Sequence, residues 1–323
     1  MRTAWAAFAA GIALAAGCRT PQGQPRETGG VAALANPALY VLGRAQDGGL
    51  PHLGCERESC CAAARRSGRR ETPACLGLHD GRHGKLYLFE ATPAIEQQVA
   101  LLHELGSIEG RGRAPVDGLF VTHAHLGHYL GLAWLGREVA ASQRTPLFVT
   151  PRFAQWLRDN GPWSQLVDLE QVELRATEPG GAVELTADLV VESLAVPHRD
   201  EFSDTVAFRI RGPRRTVLFC PDVDAWTRHA GLLDRLLEGV DVAYLDATFY
   251  DGRELPDRIR AEIPHPPMLD TMDRLAARAA AKPGTIRFLH FNHTNPAWND
   301  PGVADSVRAR GFGIAEVGER VDL

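Results

Sequence analysis

Four β-like runs of this chain each end in a histidine or an aspartate. VDGLFV leads into THAHLGH, which carries His123, His125 and His128; LVVESLAVP leads into His198, RTVLFCP into Asp222, and TIRFL into His290. Apolar runs of this length read as strands, so each polar side chain stands where a strand runs out into a loop. A fold that gathers those ends at one rim of a layered β core brings five imidazoles and a carboxylate together. Neutral imidazole is a common ligand for a borderline cation such as Zn²⁺, and a carboxylate bridges two ions about 3.5–4 Å apart. Taken singly, each histidine reads more readily as a surface or hydrogen-bonded core residue. The stretch THAHLGHYLGL fits a histidine-rich helix start as well as a metal cradle. Six such residues at successive strand ends favour the cradle.

The remaining pattern allows such a core. Further β-like runs stand at ALYVLGRA, KLYLFEAT, TPLFVT, VELRA, AVELT, TVAFRIRG and DVAYLDATF. Helical periodicity appears at PAIEQQVALLHEL, at residues 151–160, at HAGLLDRLLEG and at MLDTMDRLAARAAA, before a final helix and strand. Strands with interleaved helices, twice over, predict an α/β fold of two packed sheets with helices outside, an αββα four-layer sandwich. With 323 residues, 45% of them hydrophobic, the chain can bury a large core. A net charge of −5 and scattered arginines argue against an obligatory nucleic-acid partner and for a small-molecule substrate. Neither a Gly-x-Ser-x-Gly turn nor a Gly-x4-Gly-Lys phosphate loop is present.

The first 18 residues, MRTAWAAFAAGIALAAGC, combine one basic residue, a short apolar run and a small-residue site. They fit an export signal, and LAAGC resembles a lipoprotein cleavage site with Cys18 as the lipid carrier. The rival is ordinary cleavage nearby. Residues 19–36 read as a polar Pro/Gly tether and 37–323 as the folded domain. The expectation is an exported periplasmic or cell-envelope lipoprotein, held to the membrane only through Cys18. Oligomeric state leaves no signature.

From Ala38 to Val321 the order of motifs resembles the metallo-β-lactamase superfamily. GRAQDGGLPHLGC, CAAARR, THAHLGHYLGL, PHRDEFSDT, DATF, HPPMLD and HFNHTNP look like two of its groups. These are the phosphonate-pathway cyclic-phosphate phosphodiesterases and the pyrroloquinoline quinone (PQQ) biosynthesis protein B group. The resemblance implies that His123, His125 and His198 hold one metal, and that His128 and His290 hold another, with Asp222 bridging at the catalytic centre. Where the superfamily carries an aspartate this chain has Gly127, so the second site is expected to be weakened. One or two zinc ions are implied, with iron or manganese as alternatives. Glu90 stands where relatives commonly show an aspartate that orients the histidine loop. His265 falls where phosphodiesterase relatives carry a histidine that protonates the leaving group, and Asp270 is a candidate to orient it. A proline-flanked loop histidine without a partner is the alternative.

Cys55, Cys60 and Cys61 form a cluster, while Cys75 and Cys220 stand alone. Adjacent residues 60 and 61 cannot easily bond each other. The resemblance implies a structural zinc held by these three cysteines and His293. A disulfide is the rival, because an exported chain meets an oxidising compartment.

The function implied is a metal-dependent hydrolase of a phosphodiester or similar ester, using water activated by the metal. Two other classes stay open: an iron or redox enzyme like PQQ biosynthesis protein B, and a non-catalytic binder of the same fold. Trp156 and Trp163 read either as core packing or as a cap on a ligand.

Overall fold

The computed structural model describes residues 36–255, 263 and 265–323. The expected export signal, Cys18 and nearly all of the tether lie outside the described residues. The first sheet contains β1 (Ala38–Gly43), β2 (Cys75–Asp80), β3 (Lys85–Phe89), β4 (Gly118–Phe120), β5 (Thr145–Val149), β6 (Val172–Ala176) and β14 (Arg320–Asp322). Its order is β14-β1-β2-β3-β4-β5-β6. The second contains β7 (Ala182–Thr186), β8 (Leu189–Ala195), β9 (Val206–Arg211), β10 (Thr216–Cys220), β11 (Val242–Asp246), β12 (Ile286–Leu289) and β13 (Gly313–Ile314). Its order mirrors the first, β13-β12-β11-β10-β9-β8-β7.

The alternation of side chains along the strands builds the layers. In β1, Leu39 and Val41 face the core between the sheets with Phe89, Phe120, Phe208, Phe219 and Leu289. Ala38, Tyr40 and Leu42 face the opposite way, onto helical residues such as Ile95, Leu102 and Phe153. The far face of the second sheet is covered by Leu232, Leu236, Met268 and Met272. These are the expected four layers, with both faces of the central strands buried.

Strand β2 escaped the sequence reading because CLGLHD is a short apolar run broken by Gly77 and closed by His79 and Asp80, although every position is buried. Gly77 in its middle is required by space, since the methyl groups of Leu42 and Leu102 press on the place of a Cβ. The helical pattern MLDTMDRLAARAAA breaks into Met268–Arg274 and Ala276–Ala281. Trp163 is buried and, with Trp156, packs edge-on to Tyr129 at 5.0 and 5.2 Å, which favours the core-packing reading. Among the described residues no helix is long and apolar enough to cross a membrane.

Phe120 ties the two sheets together. It stacks on Phe89 at 5.0 Å and Phe148 at 4.4 Å and meets Phe208 of the opposite sheet at 5.5 Å. Phe120→Ala should cost about 3–5 kcal/mol, the usual loss for a buried aromatic. Denaturant unfolding would show it, and a change below about 1 kcal/mol would mean that this contact does not join the sheets.

Candidate metal centre

Strand direction assembles the site. β3 and β4 run parallel, as do β10, β11 and β12. β8 reaches β10 through two antiparallel pairings, and β1 reaches β3 in the same way, so each pair shares a direction. The C-terminal ends of these strands therefore deliver Glu90, His123, His198, Asp222, Asp246 and His290 to one rim. The loop after β1 brings Asp47. Its backbone is pinned there by a bridge between Ala45 and Phe291 and by a bond from Gln46 N–H to the Phe291 carbonyl at 2.8 Å.

Three overlapping donor groups result, each with its ligand atoms within 4.8 Å of one another: His123, His125, His198 and Asp222; Asp47, His128, Asp222 and His290; and Asp222, Asp246 and His265. Asp222 belongs to all three. Its Oδ2 lies 3.0 Å from His128 Nε2, 3.4 Å from His123 Nε2 and 3.8 Å from His198 Nε2. Its Oδ1 lies 3.4 Å from Nδ1 of both His265 and His290. Both ring nitrogens of His128 and of His198, together with Asp222 Oδ1, are buried without a hydrogen-bond partner. Buried polar atoms left in this state cost about 1–3 kcal/mol each. A cation among them satisfies several at once, so the residues fit a metal.

Two threonines set the imidazole tautomers. Thr122 Oγ1 donates to Glu90 Oε1 at 2.6 Å and lies 2.8 Å from His123 Nδ1. A carboxylate only accepts, so the hydroxyl proton is committed to Glu90 and Oγ1 accepts from His123 Nδ1–H. The lone pair of His123 Nε2 is left facing the site, 2.8 Å from His125 Nδ1. Thr248 repeats the device, donating to Asp246 Oδ1 at 2.7 Å and accepting from His290 Nδ1 at 3.0 Å. Glu90 also lies 3.2 Å from His128 Nδ1, so the charge of one carboxylate faces two histidines. Glu90 and His290 have φ values of 89° and 63°, left-handed conformations that cost a non-glycine residue about 1–3 kcal/mol and cluster at functional sites.

The electrostatics match a cation site. Burial pushes His123 well below the ordinary imidazole pKa, helped by the charge of His128. Burial also opposes ionisation of Asp222 and Asp47, yet neighbouring imidazoles, chiefly His290 and His198 for Asp222 and His128 and His290 for Asp47, hold both well below the carboxylate range. His128 is raised well above its usual value, since the charge of Glu90 and the nearby carboxylates of Asp222 and Asp47 outweigh desolvation. Against the same desolvation, Asp246 and Asp222 push His265 up to about 9.

All six expected metal-type residues meet here. Two expectations change. Position 127 is not a gap, because the Asp47 carboxylate stands against it: a Cβ on Gly127 would come within 3.0 Å of Asp47 Oδ1, Cγ and Cβ. His265 is oriented by Asp246, whose Oδ2 lies 2.7 Å from its Nδ1, and not by Asp270. Asp270 sits in a helical first turn and accepts from Arg274 one turn on at 2.9 Å. Asp47 and Asp246 were visible by the signal that identified the others, an acidic residue directly after or at the end of a β-like run.

The cysteine cluster lies apart from these groups in composition. Cys55, Cys60, Cys61 and His293 place one ligand atom each within 4.8 Å of one another, and all three thiols are free. Cys60 and Cys61 sit in a single π-turn, Glu58–Ala62, a local widening of the helix often seen at functional positions. Burial pushes the Cys61 thiol up to about 12 and, with the charges of His52 and Arg57, lowers His293 to about 4. His293 Nδ1 is buried and unpartnered. Three sulfurs and an imidazole are a soft, tetrahedral-type set that suits zinc better than any hard cation.

A family model described as a beta-lactamase superfamily domain matches residues 86–291. The chain is similar to coenzyme PQQ synthesis protein B of Rhizobium meliloti, with 27% identity over 88% of this chain and 97% of that protein. The namesake in Methylorubrum extorquens is 26% identical over 88% of this chain and 99% of its own length. Among solved structures, Zn(2+)-bound PqqB from Methylobacterium extorquens superposes with a TM-score of 0.70 and 22% identity, covering 88% of this chain and 100% of that one. A diphosphatase of the PhnP family superposes with a TM-score of 0.60 and 19% identity, covering 89% of this chain and 97% of that one.

Proposed function

The chain belongs to the family of the beta-lactamase superfamily domain, and on that premise we propose a metal-dependent hydrolase that acts on a phosphodiester or a similar ester. The observation that carries this reading is the pair of histidine groups sharing Asp222, with a third group, Asp246 and His265, beside it. His123, His125, His198 and Asp222 would hold one zinc ion, and His128, Asp222 and His290 would hold the other. When bound, such ions polarise the ester oxygens and make water a nucleophile at neutral pH.

The chain's own residues supply the rest. Glu90 and Asp246 hold His123 and His290 through Thr122 and Thr248, so their ligand nitrogens need no reorientation. His265 has Nδ1 committed to Asp246, which leaves Nε2 to carry a proton for the departing oxygen. His265→Ala should then separate substrates by leaving group. An alkyl ester, whose alkoxide must be protonated as it leaves, should slow by about 10²-fold or more. A p-nitrophenyl ester needs no such proton and should slow far less. Zinc-loaded protein inactive on a panel of phosphodiesters, lactones and thioesters would remove the hydrolase reading.

A second reading has its own support, since the curated relatives cited above are PQQ synthesis proteins B matched over nearly their whole length. In that reading the same histidines hold iron for an oxidation in cofactor assembly. Iron as the resident metal, with no hydrolysis of the ester panel, would favour it.

A further inference from the structure

Gly127 lies between two of the rim histidines, His125 and His128, within the helical turn Leu126–Tyr129. Its φ is not among the left-handed values that call for glycine, so the backbone does not require this residue. Space does. The side chain of Asp47, which arrives from the loop after β1, fills the volume that a side chain at 127 would occupy. There Asp47 Oδ1 lies 3.1 Å from His128 Nε2 and 3.4 Å from His290 Nε2. Both ring nitrogens of His128 are buried without a hydrogen-bond partner, so the contact with Asp47 is one of proximity and not a satisfied bond. The loop is fixed on both sides of Asp47: Gln46 N–H bonds to the Phe291 carbonyl at 2.8 Å, one residue from His290, and the N–H of Gly49, in a left-handed turn, bonds back to the Gln46 carbonyl at 2.8 Å.

We infer that Asp47 is a ligand of the second metal, a carboxylate contributed by the β1 loop in place of one at 127, and that residue 127 is glycine to make room for it. The inference rests on the reading of the rim as a metal centre. It reverses what the sequence suggests for position 127: a new aspartate there does not add a ligand to a deficient site but collides with the one already present.

The test uses the full chain loaded with Zn²⁺ alone, with metal content read by elemental analysis and affinity by competition with a chromophoric chelator. Asp47→Ala should lose one zinc per chain and weaken the second site by about 100-fold or more, at or beyond the top of the range for removing a group that only supports a ligand. Gly127→Ala adds a methyl group and no ligand, and should weaken the same site by pushing Asp47 aside. The exchange variant Asp47→Gly with Gly127→Asp should recover at least about tenfold of the loss, which a merely structural Asp47 would not permit. If Asp47→Ala fails to fold, as judged by circular dichroism, Gly127→Ala and the exchange variant decide the matter. Unchanged zinc content and affinity in Asp47→Ala or Gly127→Ala, with the unmodified chain fully loaded, would overturn the role of Asp47 and leave the metal centre standing. An unmodified chain that binds zinc only at its cysteines would overturn both.

Discussion

Asp222→Ala is expected to strip the rim of metal and to lower hydrolysis by about 10⁴-fold or more, the scale on which catalytic units fail when one member is removed. Asp222 is buried and is the single carboxylate common to all three donor groups, with five imidazoles within 3.8 Å. Without it, the two sets of metal-facing histidines lose the anion they share, and the charge of two buried ions loses its central compensation. Asp222 stands in the loop after β10 and takes no part in the strand pairing, so the variant should remain folded. Elemental analysis beside circular dichroism checks both halves of the statement. Full zinc occupancy in Asp222→Ala would show that the histidines bind independently of the bridge.

Cys61→Ser is expected to abolish zinc binding at the cysteine cluster, whose donor set suits that ion, and to open the loop that precedes β2. The apolar cluster of that loop is small, consisting of Leu50, Cys60, Cys61 and Ala64 with Cys55 and Trp298 at its edge, so the turn between the paired backbone bonds of Leu50 and Glu71 depends on the cysteines. Losing a structural metal is among the few single changes that cost more than about 4 kcal/mol, and the cost here should fall on the loop before the sheets. Trypsin, with Arg57, Arg65, Arg66, Arg69 and Arg70 in this segment, should cut Cys61→Ser at least about tenfold faster than the unmodified chain. Because Asp47 stands on the same loop, the second rim site should weaken in parallel. Equal cleavage rates, or intact thiols that bind no metal in the unmodified protein, would return the cluster to an unmetallated role.

The elements legible in the sequence were those whose physics is local. Strands β4, β8, β10 and β12 announce themselves by apolar runs ending in histidine or aspartate, and the structure brings those ends together. β2 was not legible, because Gly77 interrupts its apolar run and His79 and Asp80 end it, leaving neither a continuous apolar stretch nor an alternation to display. The partner of His265 was misread for a related reason. Asp270 is near in sequence, but a helix directs it to Arg274, whereas Asp246 comes from a strand end 19 residues earlier.

By itself the sequence pointed to the sandwich and to the histidines and aspartate at its strand ends, through side-chain chemistry and periodicities of two and 3.6 residues, while the bridging role of Asp222 and the grouping of the cysteines with His293 came from the family resemblance. Only the tertiary structure decided that Asp47 occupies the space above Gly127, that Asp222 touches every group, and that Thr122 and Thr248 choose the tautomers. Those facts are distances between segments far apart in the chain. They are set by the order and direction in which strands pair, which residue spacing along one segment does not encode.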